Sequence, residues 1–161
     1  MTDIKDIYAV YNAILKLHKA YMDDLQCDRI FSLVEQINAL NSQYNDPFCN
    51  DMTEAFYRWY KMHFSVGRTV GGDWTKKEEV KTEFNFKEFY TDLWKFHRVL
   101  YTDMDKIDFS NDKSAQIFWQ STNEVARTLS SKYDFPACKI YIHAVLNMLE
   151  REAELRKTQQ K

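Results

Sequence analysis

The chain has 161 residues, enough for one domain with a substantial core, since a chain of this size buries roughly 70% of the surface it exposes when unfolded. Aromatic residues make up 16% of it, while glycine and proline number only 3 and 2, which excludes disordered, collagenous and turn-rich all-β classes. A formal net charge of −2 excludes an overall basic footprint of the nucleic-acid-binding kind. A local basic face remains open, because residues 1–54 carry 4 basic and 9 acidic groups whereas residues 55–98 carry 9 basic and 6 acidic.

Ile4, Ile7, Tyr8, Tyr11, Ile14, Leu15, His18, Tyr21, Met22 and Leu25 step by threes and fours. That spacing predicts a first helix of about six turns from a Thr2 or Asp3 cap. Asp28 can cap a second helix carrying Phe31, Val34, Ile37, Leu40 and Tyr44, which Asn45-Asp46-Pro47 stops. Asp51-Met-Thr-Glu54 has the form of a capping box and opens a third helix with Phe56, Trp59, Tyr60 and Phe64.

All three glycines then fall within six residues, Gly67, Gly71 and Gly72, and mark the one stretch built for unusual backbone. Thr75-Lys-Lys-Glu78 can cap at most a short surface helix, so about residues 65–84 form a loop excursion from the bundle. Asn85-Phe-Lys-Glu88 caps a fourth helix with Phe86, Tyr90, Leu93, His97, Leu100, Met104 and Ile107 in regular register. Ser110 or Asn111 starts a fifth, burying Ala115, Phe118, Trp119, Thr122, Val125, Ala126 and Leu129. Asp134-Phe-Pro136 starts a sixth, uncharged from Ile140 to Leu149 and therefore central, with a charged tail from Glu150 that frays. The expectation is an all-α, single-domain bundle of five or six helices over 1–157, with 158–161 as frayed tail.

Cys27, Cys49 and Cys138 include no Cys-x-x-Cys pair, so neither a disulfide framework nor a zinc ribbon is indicated. The N-terminal Met1-Thr-Asp-Ile-Lys-Asp-Ile lacks a signal-peptide pattern, and no apolar run approaches the ~20 residues of a membrane span. A cytoplasmic protein with no membrane contact is expected.

Four sequence patterns bear on chemistry. Gly67-Arg-Thr-Val-Gly-Gly72 has the glycines of a phosphate loop, but Asp73-Trp74 stand where Lys and Ser/Thr are needed. No histidine has an acid three residues before it, which removes the helical di-iron pattern. Asp108, Ser110 and Asp112 begin like a calcium loop, yet Lys113 and Trp119 occupy its glycine and glutamate positions, so these acids are read as helix caps. No metal and no cofactor are expected. His18, His97 and His143 lie on apolar stripes and read as core histidines.

The fourth pattern, Arg58-Trp-Tyr-Lys-Met-His63, resembles the Arg-x4-His ribonuclease signature of HEPN domains, which are all-α and of similar size. The resemblance covers six residues and implies that Arg58 stabilises charge on a scissile phosphate while His63 moves a proton. It departs from the family at Trp59, where a small polar residue is usual. Residues five apart on a straight helix also point about 140° apart. The competing reading makes His63 a cation at a helix C-terminus and Arg58 a solvated side chain.

Residues 55–101 hold 13 of the 25 aromatics, interleaved with nine basic groups. One helical stripe cannot bury that many rings, so some are expected at the surface beside Arg and Lys, where Trp, Tyr and Arg form interface hot spots. The functional expectation is a non-enzymatic binding, adaptor or inhibitor protein acting through the 57–98 region, with Tyr57, Arg68, Trp74, Lys76 and Lys77 as contacts. Another protein is the expected partner. RNA with an Arg58/His63 site, and a structural subunit or homodimer, are the alternatives. Low Gly and Pro with abundant Asn, Lys and Tyr also fits a phage or mobile-element protein.

Overall fold

Six α-helices and no strand make up the described residues: α1 (Ile4–Met22), α2 (Ile30–Tyr44), α3 (Pro47–Thr69), α4 (Phe86–Asp103), α5 (Asp112–Lys132) and α6 (Cys138–Gln159). The computed structural model describes residues 3–22, 29–69, 85–135 and 137–160, and for 22 and 63–69 the backbone alone. The all-α expectation holds. The chain, read as one domain over 1–157, clusters into two compact units, Met1–Lys87 and Glu88–Lys161.

In the first unit, α1 buries Ile7, Val10, Tyr11, Ile14, Leu17, His18 and Tyr21. This stripe is rotated from the expected one: Val10 and Leu17 are inside, and Tyr8 is 47% exposed. At about 100° per residue, Tyr8 sits a quarter turn off the line of Ile7, Ile14 and Tyr21. Asp3 caps the helix, its Oδ1 accepting from Lys5 N at 3.0 Å. On α2 the expected Phe31 is 80% exposed, and Leu33 with Ile37 takes the core. Asn45 ends α2 in the left-handed region at φ 46°, its N–H donating to Asn41 O.

The third helix begins four residues before the expected capping box. Pro47 stands at the first helical position, where its missing N–H is no loss, and Asp46 Oδ1 accepts from Phe48 N at 2.8 Å. Phe48, Cys49 and Met52 are buried, so burial as well as capping favours the earlier start. Asp51 is thereby inside the helix. At its other end α3 runs to Thr69, taking Gly67 into the helix, where a loop was expected from 65. Residues 70–84 of that loop lie outside the described residues. The α2 and α3 helices are joined through a buried hydroxyl, Thr53 Oγ1, 2.9 Å from Asn41 Oδ1.

Asn85 caps α4 through Lys87 N at 3.1 Å, and in the second unit Asn111 caps α5 through Lys113 N and Ser114 N. The buried face of α4 is broad, covering Phe89, Tyr90, Leu93, Phe96, His97 and Leu100. Phe89 and Tyr90 meet Tyr141 of α6 edge-on, and the Tyr90 and Tyr141 hydroxyls pair at 2.7 Å. Burial pushes the Cys138 thiol up to about 11, an inert thiol inside the core. On α5 the core positions are Phe118, Thr122, Ala126 and Leu129, while the expected Val125 is exposed. His143 is also exposed rather than in the core, because α6 turns Lys139, His143, Asn147 and Glu150 outward. The charged tail is helical to Gln159. Gln160 holds the turn before α5, accepting from Phe109 N at 3.0 Å and donating to Ile107 O at 3.2 Å.

Candidate protein-binding face

With Phe56, Trp59 and Tyr60 committed to the core, the 3.6-residue period of α3 turns Tyr57, Arg58, Lys61 and Met62 outward as two adjacent i, i+4 pairs. Lys61 Nζ lies 4.4 Å from the Tyr57 ring centroid, a cation–π contact that orients both side chains at the surface. Arg58 Nε donates to Glu54 Oε1 at 2.8 Å, with both side chains more than half exposed. An exposed i,i+4 pair of this kind contributes a few tenths of a kcal/mol, so the guanidinium is easily redirected to a partner. Met62, one turn on from Arg58, is 37% exposed and adds a polarisable apolar surface. The stripe therefore offers an aromatic, two cations and a thioether on two turns of a rigid helix.

The expected aromatic surface over 57–98 is smaller than its composition suggested. Phe56, Trp59, Tyr60, Phe89, Tyr90 and Phe96 are buried. The α3 rings fall on that helix's own core line, and the α4 core face takes in two neighbouring lines of side chains instead of one. Phe86 is held against His18, ring centroids 4.1 Å apart and 16° from parallel, and His18 also contacts Trp59 at 4.6 Å. Tyr101 faces the Arg156 guanidinium at 5.5 Å.

Of the expected contact residues, Tyr57 is in the stripe and half-buried. Arg68 belongs to the backbone of α3, and its side chain lies outside the described residues, as does that of His63. Trp74, Lys76 and Lys77 lie outside the described residues altogether. Sequence reasoning missed Lys61 and Met62. Their signal was present: once Phe56 and Tyr60 are assigned inward, Tyr57 and Lys61 share the outward face by the same period.

No family model, curated protein or solved structure matches the chain.

Among the described residues no group of three or more His, Cys, Asp or Glu converges on a metal-sized site. The acids between α4 and α5 have structural partners. Asp105 pairs with Arg156 at 2.7 Å, Asp103 with Lys106 at 3.4 Å, and Asp108 Oδ1 accepts from Ser110 N at 3.0 Å. No helix among the described residues is long and apolar enough to cross a membrane.

Proposed function

We propose that this chain is a non-enzymatic binding protein, an adaptor or inhibitor that engages another protein through the outward face of α3 and the segment that follows it. The observation that carries the reading is the Tyr57–Lys61 pair on a rigid helix, flanked by Arg58 and Met62. Tyr, Arg and Met are the residue types enriched at interface cores, and a helix presents them with little ordering entropy to lose on binding. Arg68 and, in the segment beyond, Trp74, Lys76 and Lys77 extend the same chemistry in sequence. Two cations in the stripe favour a partner whose docking face is acidic around an apolar centre.

The test is affinity capture with the tagged full chain, with and without nuclease, comparing the native protein with Tyr57→Ala plus Lys61→Glu and with Arg68→Ala plus Trp74→Ala. The expected result is a stoichiometric protein partner that survives nuclease and is lost with either pair of substitutions, while helical circular dichroism and the melting temperature hold. Nucleic acid alone, lost on nuclease treatment, would overturn this reading in favour of RNA binding at Arg58 and His63.

A further inference from the structure

A long groove runs between α5 and α6 within the second unit. One cavity of about 460 Å³ lies between residues 112–123 of α5 and 146–157 of α6, and another of about 330 Å³ between 123–130 and 139–146. Both are lined by Asn123 and Leu146, so they are two halves of one groove between antiparallel helices. Its lining positions on each helix recur every three or four residues, which keeps them on one straight line. From Asp112 to Ser130 that line is about 27 Å long at 1.5 Å per residue.

Charge is divided between the halves. The half towards the start of α6 is lined by Arg127, Lys139 and His143 and by no carboxylate. In the other half, Asp112, Glu150 and Glu154 face a single cation, Lys157. None of these side chains is in an ion pair among the described residues, whereas Lys132 and Arg156 of the same helices are both paired. Interspersed with these charges the walls are small or apolar: Ala115, Ala126 and Ala153 allow close approach, and Trp119 and Leu146 are half-buried.

Such a groove is complementary to itself. A two-fold axis lying in the interface and crossing the groove at Asn123 and Leu146 brings a second copy face to face with its ends exchanged, so the basic half of one copy meets the acidic half of the other, twice over. A two-fold axis running along the groove instead sets like charge against like. We propose that the α5–α6 groove is the interface of a two-fold homodimer, with Arg127 and Lys139 of each copy facing Glu150 and Glu154 of the other.

The experiment is sedimentation velocity on the full chain over a micromolar concentration range. The native chain is expected to show a monomer–dimer equilibrium that weakens as salt is raised. Arg127→Glu with Lys139→Glu, and separately Glu150→Lys with Glu154→Lys, should each weaken association at least about tenfold, because these four positions then set like charge against like. Mixing the two reversed proteins in equal amounts should restore a dimer containing one of each. Asn123→Asp, a single change at an exposed site, sets two carboxylates together at the axis and should also give monomer, which guards against a misfolded double variant. A native chain that stays monomeric throughout, a dimer indifferent to these substitutions, or reversed variants that fail to pair would each overturn the proposal.

Discussion

The imidazole of His97 is fully buried on α4 with Nε2 3.1 Å from the Met148 sulfur, and desolvation pushes its pKa down to about 3. An unfolded histidine titrates near 6.5, so between these values the unfolded chain binds a proton that the folded chain refuses. The folded pKa is the depressed one. Its contribution to stability is therefore complete above about pH 6.5 and falls away as pH drops towards 3, by as much as about 1.4 kcal/mol per pH unit. His97→Leu keeps an apolar group of similar size and removes the titration. Urea midpoints of the native chain should decline steadily from about pH 7 to about pH 4.5, and those of His97→Leu should stay nearly level. Equal declines in the two proteins would show that His97 is not the source. Asp92 adds its own loss at lower pH, since hydrogen bonds from Lys132 and Tyr133 hold its carboxyl below the usual range.

Helix ends were legible where a side chain and a backbone N–H decide the matter locally, as at Asn85 and Asn111. The start of α3 was not, because Asp46-Pro47 and Asp51-Met-Thr-Glu54 offer the same capping chemistry and tertiary burial of Phe48 and Cys49 favours the earlier one. The tail of α6 was misjudged for a similar reason. Its charges suggest solvation, yet Gln160 and Arg156 reach partners about fifty residues away that no local pattern reveals. At the junction of α2 and α3 the decisive residue is Asn45, which supplies a left-handed backbone between two helices. Glycine reaches that conformation without strain and alanine does not. Asn45→Ala should destabilise by about 1 kcal/mol and Asn45→Gly should be neutral or slightly stabilising, as read by thermal melting. Equal effects of both would show that the Asn45 side chain matters more than its φ.

Across the whole molecule, three-four periodicity was enough to specify a bundle of five or six helices, of which the described residues form six, but not which of two adjacent apolar lines faces inward. That ambiguity displaced the expected stripe of α1, exposed Phe31 and concealed the α5–α6 groove, whose charges look like ordinary solvated faces when each helix is read alone. The two candidate surfaces share no residue and no helix, so binding and self-association should respond to different substitutions. Tyr57→Ala with Lys61→Glu should abolish partner capture and leave the sedimentation coefficient unchanged. Asn123→Asp should give monomer and, unless the partner recognises the dimer, leave capture by each chain unchanged. If capture falls with Asn123→Asp, dilution of the native chain through its dimer dissociation range identifies the cause. Capture that weakens in step with dissociation means that the partner requires two copies, because avidity from paired α3 faces multiplies the affinity of each. Capture that persists on dilution would instead place Asn123 in the partner's own contact surface and overturn the separation of the two roles.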